Sequence, residues 1–107
     1  MNTPLQIRPG PMYQGSAPVR DREYLRFIKR LPCVVCLRTW WVDPCHVGPH
    51  AIGQKASDLD CIPLCRKHHT EFDTAPYEFA ERHKLDIPAL IQMFHSFYQT
   101  KLKGRAA

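Results

Sequence analysis

Two pairs of potential metal ligands at matched spacing constrain this chain more than anything else in it. They are Cys33 and Cys36 in LPCVVC, and Cys65 and His68 in PLCRKHH. A C-x2-C turn presents two sulfurs to one tetrahedral ion, and a second pair three residues apart on a helix completes the set, so the spacing points to a Cys3His zinc site. Such a site would close the intervening chain into a loop pinned to a helix N-terminus. The competing reading makes Cys33 and Cys65 small buried apolar residues and His68 a surface side chain. Cys61, four residues before Cys65, is an alternative ligand, though an extended segment would turn it to the core.

A chain of 107 residues is one domain by size and has little room for a large core. A bound metal would add what burial lacks, because its binding free energy becomes folding free energy. The five cysteines are an odd count, and no apolar run resembles a signal peptide or a membrane span. That combination points to the reducing cytoplasm, where C-x2-C means metal or redox chemistry rather than disulfides. No βαβ pattern surrounds Cys33 and Cys36, which argues against thioredoxin-like use. The formal net charge of +5 favours an anionic partner, nucleic acid being the commonest, with a bland basic surface as the alternative.

Residues 1–20 are punctuated by Pro4, Pro9, Gly10, Pro11, Gly15 and Pro18 without helical or strand periodicity, so a flexible basic arm is expected, with Arg8 and Arg20 solvated or touching phosphate. A domain over 21–100 follows. Asp21 can cap a helix whose apolar residues Tyr24, Phe27, Ile28 and Leu31 share one face, while Arg22, Arg26, Lys29 and Arg30 line the other. Pro32 ends it. Val34 to Val47, broken at Leu37-Arg38-Thr39, suits a short hairpin in which Trp40 and Trp41 pack, base stacking being the alternative. Gly48 to Asp60 reads as a loop. Thr74 can cap a short helix begun by Pro76, and Ile87, Leu90, Ile91, Phe94 and Tyr98 mark a last helix over the core. Residues 101–107 read as a basic tail.

A second constellation comprises His46 at a strand end, Asp60, and then His69 and Asp73 four apart on the flank of the helix opposite Cys65 and His68. Metal-assisted phosphodiester hydrolysis needs one group to deprotonate water while an ion offsets charge on the phosphate. Histidine suits the first task, since its ordinary pKa near 6.5 leaves neutral imidazole at pH 7. Lys55, Arg66 and Lys67 are candidates for phosphate contact.

In order, Leu31-Pro32-Cys33-Val34-Val35-Cys36, Cys45-His46-Val47, Gly53-Gln54-Lys55 with Asp58, Pro63-Leu64-Cys65-Arg66-Lys67-His68-His69 and His83-Lys84-Leu85-Asp86 resemble the short HNH nucleases of the ββα-metal type. Phages and prophages encode such nucleases, including the Ref-like ones. The resemblance implies a small zinc-stapled α+β domain with flanking helices that cleaves DNA in a bacterial host cell, leaving 5′-phosphate ends. It also implies that His46 is the general base, that Asp60 stands at the family's Asn position, and that His69 is the final metal-binding His. Asp73 then stands where many relatives have another His, and Cys45 where some have a second ligand, with Asp43 as the alternative to Cys45. Zinc would be structural, and Mg2+ or Mn2+ catalytic. Asp60 can still accept a hydrogen bond and orient His46, and Asp73 keeps a ligand of harder character. The alternative is a non-catalytic zinc-dependent DNA-binding or adaptor module on the same scaffold.

Overall fold

A computed structural model of the chain describes residues 19–47 and 57–106, and Lys55, with most of the expected loop from Gly48 to Asp60, and residues 1–18 lie outside the described residues. Six elements follow in order: α1 (Arg22–Lys29), β1 (Val42–His46), β2 (Cys61–Cys65), α2 (Arg66–Thr74), α3 (Pro76–Arg82) and α4 (Ile87–Ala106). The architecture is α+β, with four helices around one antiparallel pair of strands.

The first helix forms as its sequence dictates. The Asp21 carboxylate accepts the Tyr24 amide at 3.0 Å, which satisfies one of the donors a helix start leaves orphaned. Tyr24 and Ile28, four apart, are buried on the inner face, while Arg22, Arg26, Lys29 and Arg30 stay exposed on the outer one. Burial of side chains this size contributes about 1.5–3 kcal/mol each.

The expected hairpin within Val34–Val47 does not form. The amides a strand would need are used by a tight turn: Cys33 N–H donates to the Arg38 carbonyl and Leu37 N–H to the Cys33 carbonyl, each at 2.9 Å. β1 instead pairs with β2, in a register that places Val42 opposite Cys65 and His46 opposite Cys61. All five residues of β2 are buried, because α1 and α4 pack on it as well as α2. CIPLC therefore reads as a continuous apolar run rather than an alternating one. Cys61 faces this core, as expected of an extended segment. The facing prolines Pro44 and Pro63 are tolerated since a two-stranded sheet has only edge strands, and the Pro63 carbonyl takes the Val34 amide at 3.0 Å.

Trp40 and Trp41, expected to pack, lie exposed instead. Thr74 ends α2, bonding its hydroxyl to the Thr70 carbonyl, and Ala75 occupies the cap position of α3. The last helix continues through Ala106, so residues 101–106 extend it rather than trailing off. Its Ile87, Ile91, Phe94 and Tyr98 are buried at near-helical spacing. Tyr98 packs edge-on against Tyr24 with ring centroids 4.9 Å apart and donates its hydroxyl to Glu23 at 3.0 Å, which locks α4 across α1. Among the described residues no helix is long and apolar enough to cross a membrane.

Candidate metal centre and adjoining histidines

Cys33, Cys36, Cys65 and His68 converge. The turn after Pro32 supplies the first two, the end of β2 the third, and the first turn of α2 the fourth. Cys36 Sγ lies 3.8 Å from Cys65 Sγ, and His68 Nδ1 lies 3.2 Å from Cys65 Sγ and 3.7 Å from Cys33 Sγ. A tetrahedron with Zn–S bonds near 2.3 Å and a Zn–N bond near 2.0 Å has edges of about 3.5–3.8 Å. The four donors thus suit a metal such as zinc in number, and two of the three separations fall within that range while the Cys65–His68 one is shorter. Cys33 also accepts the Val35 amide at 3.4 Å, a bond that favours the thiolate. Burial alone would raise the Cys33 thiol, but the backbone amides around it outweigh that and hold it below its ordinary range. Burial lowers His68, which keeps the imidazole neutral and ligand-ready.

His68 also adjoins Glu71 and His83. Glu71 lies one helical turn on, and the rings of His68 and His83 meet edge-on at 5.5 Å. Glu71 and His83 approach to 4.0 Å. Since His68 turns Nδ1 to the sulfurs, this pair is better placed to orient its ring from outside than to form a site of its own.

A second donor set is formed by Cys45, His69 and Asp73, whose ligand atoms lie within 4.8 Å of one another. His69 Nδ1 meets Asp43 Oδ2 at 3.0 Å, and its Nε2 lies 3.5 Å from Asp73 Oδ2. Asp43 is thereby an outer support that turns Nε2 toward Asp73 and Cys45. Burial pushes the Asp43 carboxyl up, but hydrogen bonds from Arg66 and His69 more than offset it, so the group stays ionised. Cys45 is fully buried, and burial pushes its thiol well above the ordinary range, helped by the charges of Asp73 and Asp43.

His46 is one residue out of phase with Cys45 along β1, so its side chain leaves the opposite face of the strand. Its Nε2 bonds to Asp58 Oδ1 at 2.9 Å. The orienting carboxylate is therefore Asp58, not Asp60, which is fully buried with its carbonyl bonded to the Val47 amide. Asp58 also accepts Arg20 at 3.2 Å and the Asp21 amide at 2.8 Å, tying the start of α1 to His46. Burial would raise this carboxyl, but His46, the Asp21 amide and Arg20 together hold it below its usual range. An ionised Asp58 accepts a hydrogen bond from Nε2–H, which leaves Nδ1 of His46 as the nitrogen able to accept a proton.

Of the cations singled out for phosphate, Lys67 is exposed, whereas Arg66 forks onto Asp43 at 3.0 and 3.3 Å. Sequence reasoning missed the roles of Asp58, Glu71 and His83, and that of Asp43 as the support of His69 rather than a further ligand of the ion. Only Glu71, three residues after His68 on the same helix flank, carried a spacing that could have revealed it.

Comparison with known proteins places residues 16–100 within the family described as "Protein of unknown function (DUF968)", and the chain belongs to that family. The uncharacterized protein YdfU of Escherichia coli (strain K12) is 39% identical over 64 residues, which are 57% of this chain and 18% of that protein. The chain thus matches less than a fifth of that relative's length. No solved structure matches.

Proposed function

We propose that this member of the DUF968 family is a metal-dependent DNA endonuclease of the HNH type, with its two strands and α2 serving as the ββα-metal unit. The observation that carries the reading is the sharing of α2 by two separate donor sets, one completed from β2 and the other from β1, with an oriented histidine next to Cys45 along β1. Cys33, Cys36, Cys65 and His68 would hold structural zinc, while Cys45, His69 and Asp73 would hold the second ion. A nitrogen, an oxygen and a sulfur suit Mn2+ or a softer ion better than Mg2+, which prefers oxygen.

When bound there, a divalent ion supplies charge neutralisation on the scissile phosphate and its leaving oxygen. The protein's own part falls to the His46 and Asp58 pair. Asp58 fixes the ring through Nε2, and Nδ1 takes a proton from water as the water oxygen attacks phosphorus. The P–O3′ bond breaks and the departing O3′ takes a proton from solvent water, leaving a 3′-hydroxyl and a 5′-phosphate. Arg22, Arg26 and Lys29 line a concavity with Pro44, on the strand face that also carries His46, where a phosphate backbone can lie.

The test is nicking of supercoiled plasmid by zinc-loaded protein with added Mn2+ or Mg2+, alongside His46→Ala. Loss of about 100-fold or more in the variant is expected. Intact plasmid under every ion, or equal cutting by the variant, defeats the proposal. The complete burial of Cys45 favours a second reading, a zinc-dependent DNA-binding module without catalysis. That module would bind DNA without a divalent ion and never cut it.

A further inference from the structure

The chain's two tryptophans are adjacent, and both stand in solvent, with Trp40 59% and Trp41 66% exposed. Neither packing nor the metal turn accounts for this. Leu37 adopts φ 65°, which the sharp turn after Cys36 requires, but Trp41 at φ 59° is left-handed immediately before β1. Its carbonyl there accepts the first amide of α2 at 2.8 Å. Glycine or asparagine would make the same bond with less strain, so a bulky indole at this position serves something other than folding.

The surroundings indicate what. The Arg38 guanidinium lies over the Trp40 ring at 5.2 Å and that of Arg66 over Trp41 at 5.7 Å, and Lys67, next to Arg66 in the chain, is exposed. Exposed flat rings, each with a guanidinium over one face, complement a strand that carries a planar base and an anionic phosphate at every step. A duplex keeps its base faces stacked inside, whereas an unpaired strand offers them. The position also fits, because Arg66 forks onto Asp43, which holds His69. A strand seated on Trp41 is one ion pair from the second donor set.

We propose that Trp40 and Trp41 form a stacking platform for unpaired bases of a single nucleic-acid strand, flanked by Arg38 and Arg66. The inference rests on the nucleic-acid part of the proposed function, not on cleavage.

Because no other tryptophan emits, fluorescence reads the platform directly. Zinc-loaded protein at low salt, without added divalent ion, is titrated with an oligothymidylate of about ten nucleotides and with a blunt duplex of equal length. The single strand is expected to quench tryptophan emission, and the duplex to bind without quenching. Trp40→Ala and Trp41→Ala should each weaken oligothymidylate binding about 5- to 150-fold, keep their melting temperatures, and hardly alter duplex binding. Single-strand binding with unchanged emission overturns the proposal, as does undiminished binding by both variants. Silence of the emission toward either nucleic acid also overturns it and leaves the apolar surface of another protein as the occupant. Plasmid nicking separates the two claims: quenching without nicking keeps the platform and sinks the nuclease, and nicking without quenching does the reverse.

Discussion

Adjacent histidines on one helix should fail in different ways. Replacing His68 with Ala removes one of four donors from the Cys33, Cys36, Cys65 and His68 group and leaves a hole in the core where the ring lay. Zinc bound in small domains contributes about 10–16 kcal/mol to folding, so a quarter of that is about 2.5–4 kcal/mol. Total stability for a domain this size is about 5–15 kcal/mol, which makes the loss severe. At about 4–8 °C per kcal/mol the melting temperature falls by about 10–30 °C. Replacing His69 with Ala removes a half-buried ring bonded to Asp43, whose carboxylate keeps Arg66. One such bond, partly screened by water, contributes about 1 kcal/mol, so a fall of about 4–8 °C is expected. Far-UV circular dichroism melts, with zinc retained per chain after dialysis against a weak chelator, measure both. Equal losses of melting temperature, or full zinc retention in His68→Ala, would refute the division of labour along α2.

Excess strong chelator should lower the wild-type melting temperature at least as far as His68→Ala does, and should change the His68→Ala variant little further; calorimetry with and without chelator checks this. Asp58 has a folded pKa below its ordinary value near 4, so its stabilisation is complete above about pH 5 and is lost as pH falls through and below about 4. Denaturant melts from pH 7 to 3 should therefore show a shallower acid loss in Asp58→Asn than in wild type, and parallel curves would count against the Asp58 pairing. Arg26→Ala should reduce the slope of log affinity for duplex DNA against log salt by roughly one, read from binding isotherms at several salt concentrations; an unchanged slope removes this exposed face of α1 from the phosphate path.

What the sequence determined alone was whatever depends on neighbours along the chain. The cap at Asp21, the inner face of α1, the C-x2-C turn and the split of α2 into a Cys65–His68 flank and a His69–Asp73 flank are all set within a few residues, because helix and turn geometry are local. The apolar spacing from Ile87 to Tyr98 identified α4 for the same reason. The tertiary structure alone decided which distant groups meet. Asp58 rather than Asp60 reaches His46 because two carboxylates two residues apart differ in where the chain bends, and that bend is held by the Val19 carbonyl and the start of α1. β1 pairs with β2 and not with the segment after Cys33, since that segment closes on itself in a tight turn through Cys33, Leu37 and Arg38. The exposure of Trp40 and Trp41 had the weakest sequence signal. Aromatic content argues for burial, and only the packing of the whole chain shows that the core closes without them.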